Sequence, residues 1–429
     1  MDYIIRIIIT FVLPSLMLFV AILATGETGN LGIFLGVKKL GASYGVFYGL
    51  GVLIFAGFLA NYFSYFVVDG LLVRYYQKRL VLEQPEQLTI EIDKLPITND
   101  LKVKLKWAML HNDRKIVSLK YVISQWFIVA VIINALLSIA GYLGKFSFIF
   151  ELCSHFKLQY LVVSLSIFIF FALVGSKKIW LVVSGFCILI NLMQILPWYF
   201  PAPAFAGGTP GQQLRILHSN VLTSNRRYSD VISLVKNEQP DIAVFVEVST
   251  SWAKELSVLS ETFPYYSLQQ ESEQYGSAIY SKLPLVNTSV QSFSSRRKTL
   301  LADVQFQGKL ISMMLVHPAV PIKPQSFIDR NQQLAAIGEY AAQVKNPLIV
   351  VGDFNTTMWS PFYKSMVETA KLRNARSGFG LLPTWPTFLP LGYIPIDHFL
   401  VSKEIGVLNI HTGRNVGSDH LPLITDLVL

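Results

Sequence analysis

Six short polar motifs in the C-terminal half of this 429-residue chain carry side chains able to hold a hard cation and move protons. In chain order they are Asn220 in HSNV, Glu247 in VFVEVS, His317 in LVHP, Asp353 and Asn355 in VVGDFN, Asp397 in PIDHFLV, and Asp419 with His420 in GSDH. Carboxylate and amide oxygens suit magnesium or manganese. Histidine exchanges protons near neutral pH. The two cysteines, Cys153 and Cys187, both lie outside this half and form no C-x-x-C pair, which excludes a disulfide framework and a zinc–cysteine site.

Alternating strand and helix patterns must position these residues. Strands are predicted at 214–221, 242–248, 277–281, 300–306, 310–316, 347–351 and 396–401, with helices at 228–237, 251–259 and 325–344. Asn220, Glu247, His317 and the Asp353–Asn355 motif end predicted strands and Asp397 opens one, and strand ends are where open α/β sheets place their sites. Mixed order with several hairpin-spaced strands points to an α/β sandwich, two sheets with helices outside.

The ordered set Asn, Glu, His, GDxN, Asp, SDH, carried within residues 212–429, resembles the endonuclease/exonuclease/phosphatase superfamily. HPAVP, GDFNTTMWSPF, and GFGLLPTWP before IDHFLV look like its bacterial membrane-anchored branch, which includes glycopeptide-resistance membrane proteins linked to polyprenyl-pyrophosphate dephosphorylation. The resemblance implies a four-layer α/β sandwich and a Mg2+ (or Mn2+) cofactor. It implies Glu247 as the main metal ligand, with Asn220 and Asp419 in or near the metal's shell. Asp353 would position the attacking water or a second metal, and Asn355 would donate to phosphoryl oxygens. His420 would be base or electrostatic partner, oriented by Asp397. His317 would stabilise developing charge or protonate the leaving oxygen.

Other residues have plainer readings. His398 alternates with Asp397 on its strand and reads as structural. His218, two residues before Asn220, reads as core, Trp385 as packing, and Arg330 as a surface or ion-paired arginine. Arg296, Arg297 and Lys298 read as a solvated loop, and Gly276 as permitting a tight backbone. His111, His155 and His411 have no supporting context.

The first 200 residues are of another kind. Charged residues make up only 15% of the chain, against about a quarter in soluble domains, and long uncharged runs fill this half. Five runs are near the roughly 20 apolar residues that span a bilayer: 4–24, 42–68, 121–143, 158–175 and 179–200. The segment 69–120 carries Arg74, Lys78, Arg79, Lys94, Lys102, Lys104, Lys106, Arg114, Lys115 and Lys120. The positive-inside rule makes it cytoplasmic and the C-terminal domain periplasmic or extracellular. Within it 88–96 alternates like an exposed strand, 101–110 fits a basic amphipathic helix, and the whole is expected to be a solvated loop. Residues 201–211, rich in proline and glycine, read as a linker to a catalytic domain at 212–429. Compared with the three-span anchor of the family branch, two spans and a cytoplasmic segment are extra.

The net charge of +9 sits mainly in the membrane half, since residues 212–429 hold 19 basic and 17 acidic side chains. A near-neutral domain disfavours a nucleic acid partner. The expectation is an integral membrane enzyme of the bacterial inner or plasma membrane, hydrolysing phosphate esters or pyrophosphates of a lipid-linked substrate. The alternatives are an extracytoplasmic nuclease and a catalytically silent binding module.

Overall fold

A computed structural model describes residues 85–95, 97, 99–110, 119–174, 178–200, 213–270, 276–293 and 297–429, with isolated positions between 72 and 84. The expected spans at 4–24 and 42–68, the linker 201–211, His111 and Arg296 lie outside the described residues. The chain divides into two compact units, residues 1–129 and 130–429.

In the first unit, α1 (Pro85–Lys94) replaces the exposed strand expected at 88–96, and α2 (Asn99–Leu110) covers the helix expected at 101–110, so the segment is not wholly a solvated loop. Leu88 and Ile92, one helical turn apart, are buried with Tyr76, Leu101 and Leu105, while Ile90 is exposed. A lone strand has no partner for its backbone, whereas a helix satisfies its own. Glu86 in the first turn and Lys94 in the last suit the helix dipole. Arg79 ties the cluster together through Glu83 (2.6 Å) and Glu91 (2.7 Å).

The second unit begins within α3 (Leu119–Ala140) and continues through α4 (Phe148–Leu152), α5 (Lys157–Val174) and α6 (Lys178–Ile195). Two stretches, Trp126–Leu143 and Lys178–Trp198, are long and apolar enough to cross a membrane; the apolar part of α5, Lys157–Leu173, is shorter. Polar groups join the helices: Asn134 Nδ2 donates to Ser164 Oγ at 2.7 Å, and Asn191 Nδ2 to Ser138 Oγ at 3.0 Å, the bonding expected where water is absent.

The remainder is a four-layer sandwich. One sheet comprises β1 (Gln213–Asn220), β2 (Ile242–Val246), β3 (Tyr265–Gln269), β4 (Ser277–Ser281), β11 (Gly406–Thr412) and β12 (Leu423–Val428), in the order β11-β12-β1-β2-β4-β3. The other comprises β5 (Leu285–Ser292), β6 (Lys298–Phe306), β7 (Lys309–Val316), β8 (Leu348–Asp353), β9 (Arg373–Asn374) and β10 (Asp397–Val401), in the order β5-β6-β7-β8-β10-β9. Each sheet holds one parallel pair, β1–β2 and β7–β8, joined through α7 (Tyr228–Glu238) and α9 (Pro324–Ala341). Inward residues such as Ile216, Val244, Leu315 and Val351 make the core between the sheets. Helices α7 and α8 (Thr250–Leu256) cover the first sheet through Val231, Leu234 and Trp252. Helices α9 and α10 (Pro361–Ala370) cover the second through Leu334, Ile337 and Met366.

The second sheet's helical layer also receives the N-terminal end of α5 and the C-terminal end of α6. Leu161 and Ile195 belong to the same core as Leu334 and Trp359. Trp359 Nε1 donates to Gln194 O at 3.0 Å, and the amides of Gly378 and Gly380 donate to Trp198 O at 3.0 and 2.8 Å. The domain is therefore docked on these helices.

Candidate active site

The motif residues arrive from both sheets at one end of the sandwich. Strand β1 delivers His218 and Asn220 on one face, since side chains alternate. Asn220 Nδ2 donates to Glu247 Oε1 at 2.9 Å and to Asp353 Oδ2 at 3.2 Å, and Asn220 Oδ1 accepts from Leu222 N at 3.0 Å. Glu247, just past β2, takes φ 60 and Asn355, just past β8, takes φ 49. Left-handed backbone at such residues is held only where surroundings dictate it, and it concentrates at functional sites. Glu247 is secured by Asn220 and by the amide of Thr223 at 3.3 Å.

Gly352 explains the glycine of the GDFN motif. Its φ is +148, and a Cβ there would lie 1.9 Å from Val316 O on the parallel neighbour β7. Gly276 has the tight-backbone role expected of it, because a Cβ would lie 2.0 Å from Val248 O.

Asp353 and Asp397 stand opposite one another on antiparallel β8 and β10. Asp397 Oδ2 takes a bond from His420 Nδ1 at 2.8 Å, and its Oδ1 a bond from His218 Nε2 at 2.9 Å. Burial alone would raise the Asp397 carboxyl, but His420 and the two imidazole bonds outweigh it and hold the group well below the carboxylate range. The same contact works on His420. Burial disfavours its cation, yet Asp397 and Asp353 push it up to about 10. Asp353, unlike Asp397, is raised to about 7, through burial and the like charges of Asp397 and Glu247, opposed by His420 and the Asn355 amide. His317 lies well below its ordinary value, through burial and then the nearby charges of Arg297 and His420. Its Nε2 is 3.9 Å from Glu247 Oε1 and 3.7 Å from Asp353 Oδ2.

These groups fit a divalent ion. Ligand atoms of Glu247, His317 and Asp353 all lie within 4.8 Å of one another, as do those of Asp353, Asp397 and His420. His317 Nε2 and Asp419 Oδ1 are buried with no hydrogen-bond partner, the state of atoms that await a further ligand. Asp419 is steered by Trp385, whose Nε1 donates to its Oδ2 at 3.1 Å. Asn355 Nδ2 donates to Pro318 O at 3.0 Å, beside His317. Asn220, Glu247, His317, Asp353, Asn355, Asp397 and His420 thus surround one cleft, with Asp419 at its Trp385 side.

Several expectations are corrected here. His218 is a partner of Asp397, not only a core residue; its two-residue spacing from Asn220 was the available signal. Trp385 orients a site carboxylate as well as packing. Arg297 is near enough to His317 to lower its affinity for a proton, so it is no solvated bystander. Arg330 is ion-paired, one of the two readings expected, its Nη2 3.0 Å from Glu151 Oε1, but it is fully buried and not at the surface, and its Nη1 donates to Asn355 O at 2.9 Å. His155 is buried between Glu151 (3.2 Å) and Thr357 Oγ1 (3.0 Å). His398 has the structural role expected, bonded to Thr356 O at 2.9 Å and to Arg376 at 2.8 Å.

Residues 216–420 match the model of the Endonuclease/Exonuclease/phosphatase family. The C-terminal domain belongs to that family. Members are typically metal-dependent phosphoesterases and nucleases, in keeping with the clustered ligands of this endonuclease/exonuclease/phosphatase domain. Among solved structures, the chain is similar to a humanized TDP2 of D. rerio (15% identity, TM-score 0.44, covering 51% of this chain and 99% of that one). It is also similar to endonuclease/exonuclease/phosphatase proteins of Beutenbergia cavernae (19%, TM-score 0.42, 51% and 72%) and Bacteroides vulgatus (17%, TM-score 0.42, 51% and 99%). No curated protein matches the chain.

Proposed function

We propose that this chain is a membrane-anchored, divalent-metal-dependent phosphoesterase that cleaves phosphate-ester or pyrophosphate bonds of a lipid-linked substrate outside the cytoplasm. The observation that carries the reading is a pairing. A phosphoesterase-type constellation sits in a domain whose helical layer shares its core with the ends of apolar helices. The basic segment 69–120 supports the outward orientation through the positive-inside rule, and the near-neutral charge of the domain argues against a polyanion as substrate.

Glu247 and Asp353 would hold the ion, with His317 in reach and Asn220 bracing both carboxylates. Bound Mg2+ or Mn2+ supplies positive charge that polarises a phosphoryl oxygen. The protein's own groups do the rest. Asp397, fixed by His218, orients His420 so that its Nε2 lies 3.6 Å from Asp353 Oδ2. The His420 cation and Asn355, which keeps a second amide hydrogen free of Pro318, face the negative charge that spreads over phosphoryl oxygens in the transition state. Neutral His317, in the tautomer that carries its hydrogen on Nε2, would donate a hydrogen bond to the negative charge developing on the leaving oxygen, whose proton comes from solvent water.

The full chain in nanodiscs with Mg2+ or Mn2+ tests the reading. Phosphate release from a polyprenyl pyrophosphate, lost in Glu247→Ala and Asp353→Ala and without nicking of plasmid DNA, is expected. Nicking without lipid turnover would establish the nuclease instead. Absence of both, with either metal, would overturn the enzyme assignment.

A further inference from the structure

We infer that the rim of the active-site cleft is itself a lipid-binding surface, seated in the outer leaflet beside the helix ends, so that a substrate's phosphoryl group reaches the site while its chain stays in the bilayer. This rests on the membrane reading above and specifies how that site meets its substrate. The main element is the loop 386–393. Phe388 is 73% and Leu391 87% exposed, with Leu389 half exposed between them. Scattered exposed apolar residues are ordinary, but a contiguous cluster marks an interaction surface. The loop is held in this form: Thr387 N donates to Asp419 O at 2.9 Å, Thr387 Oγ1 to Ser418 O at 2.8 Å, and Gly392 N to Leu389 O at 2.8 Å. Its apolar tips point outward from a fixed backbone.

What covers them follows from the loop's other attachment. Gln159, in the first turn of α5, donates Nε2 to Leu391 O at 3.2 Å and to Tyr393 O at 2.9 Å. One side of the loop therefore touches the cleft residue Asp419, and the other lies level with the end of an apolar helix whose far residue, Leu173, is 82% exposed. The segment after His317 repeats the pattern. It leads to Ile322, 66% exposed. The ring of Phe327, at the start of α9, stands 6.2 Å from that of Phe148, two residues after the 79%-exposed Phe146 in the turn between α3 and α4. Neither 318–322 nor 386–393 contains a charged residue, so both can enter an interface without burying an ion.

The experiment uses the full chain with Cys153→Ala and Cys187→Ala, labelled with an environment-sensitive fluorophore at Leu391→Cys or, as reference, at Leu408→Cys on edge strand β11. It is reconstituted in phosphatidylcholine/phosphatidylglycerol nanodiscs. Doxyl-labelled lipid should quench the label at 391 strongly and the label at 408 little. Equal quenching at both, or quenching at 391 by aqueous iodide alone, overturns the proposal and would point to a protein or aqueous environment for the loop. In a second arm Phe388→Asp and Leu391→Asp, each in the native background, should lower turnover of a bilayer-embedded polyprenyl pyrophosphate by about tenfold, the equilibrium equivalent of one buried apolar side chain. Turnover of a water-soluble aryl phosphate ester should stay unchanged. A parallel fall on both substrates, or no fall on either, also overturns it. If wild type cleaves neither substrate, the phosphoesterase reading fails while the quenching result still decides lipid contact.

Discussion

Removing the charge of Glu151 tests whether the segment between the apolar helices is part of the active-site framework. Glu151 and Arg330 are both fully buried, 3.0 Å apart. Glu151 Oε1 also accepts from Thr356 Oγ1 at 3.3 Å, and His155 bonds its Oε2 at 3.2 Å. The Glu151→Gln variant leaves a buried guanidinium without a counter-ion, which costs about 3–5 kcal/mol. In a unit of this size that is roughly 6–20 °C in melting temperature. A second route gives a similar figure. Burial alone would raise the Glu151 carboxyl, but His155 and Arg330 outweigh it and hold the group at about 2 against an ordinary 4.5. That difference corresponds to about 3 kcal/mol. The sign is that of a depressed carboxyl: the contribution is present above pH 4.5 and disappears as pH falls toward 2. Thermal unfolding of the full chain in one detergent should therefore separate wild type from Glu151→Gln at pH 7, with the gap closing between pH 4.5 and pH 2. Replacing both partners, Glu151→Leu with Arg330→Met, should recover most of the loss. Turnover should fall in the single variant, because Arg330 holds the carbonyl of Asn355. A Glu151→Gln protein that melts within 1 °C of wild type, or a double variant as unstable as the two single losses added, refutes the argument.

Asp397→Asn should lower kcat by about two to four orders of magnitude with KM little changed, since it loses the carboxylate that orients and charges His420; steady-state kinetics at saturating metal checks this. Gly352→Ala should fail to accumulate as folded protein, because no Cβ fits 1.9 Å from Val316 O, and circular dichroism with a melting curve reads the outcome. Chelation by EDTA should abolish turnover, Mg2+ or Mn2+ should restore it, and Glu247→Gln should raise the metal concentration needed for half-maximal rate. Full activity after exhaustive chelation would contradict the ligand assignment.

Much of the domain was legible along the chain. Buried strands such as 348–353 announce themselves as apolar runs, because both faces pack, and the polar residues that end them belong to the site. Other elements gave a weaker signal. Strands β3, β5 and β11 lie at sheet edges, where one flank is solvated and alternation is lost, so QS-, TS- and N-rich stretches conceal them. Strand β12 hides Asp426 in an apolar run, and only its cross-strand neighbour Arg215, 2.7 Å away, makes that carboxylate acceptable there.

The amino-acid sequence by itself determined which side chains could do the chemistry, the strand ends that carry them, and the apolar helices, because each is written in local periodicity. Tertiary structure alone decided which partner each charged or polar group would take. Arg330 is exposed or buried according to whether Glu151, 179 positions earlier, arrives beside it. His218 becomes part of the site because β10 brings Asp397 within 2.9 Å. A polar group leaves water only when its partners are already in place, and those partners come from parts of the chain that no local pattern connects.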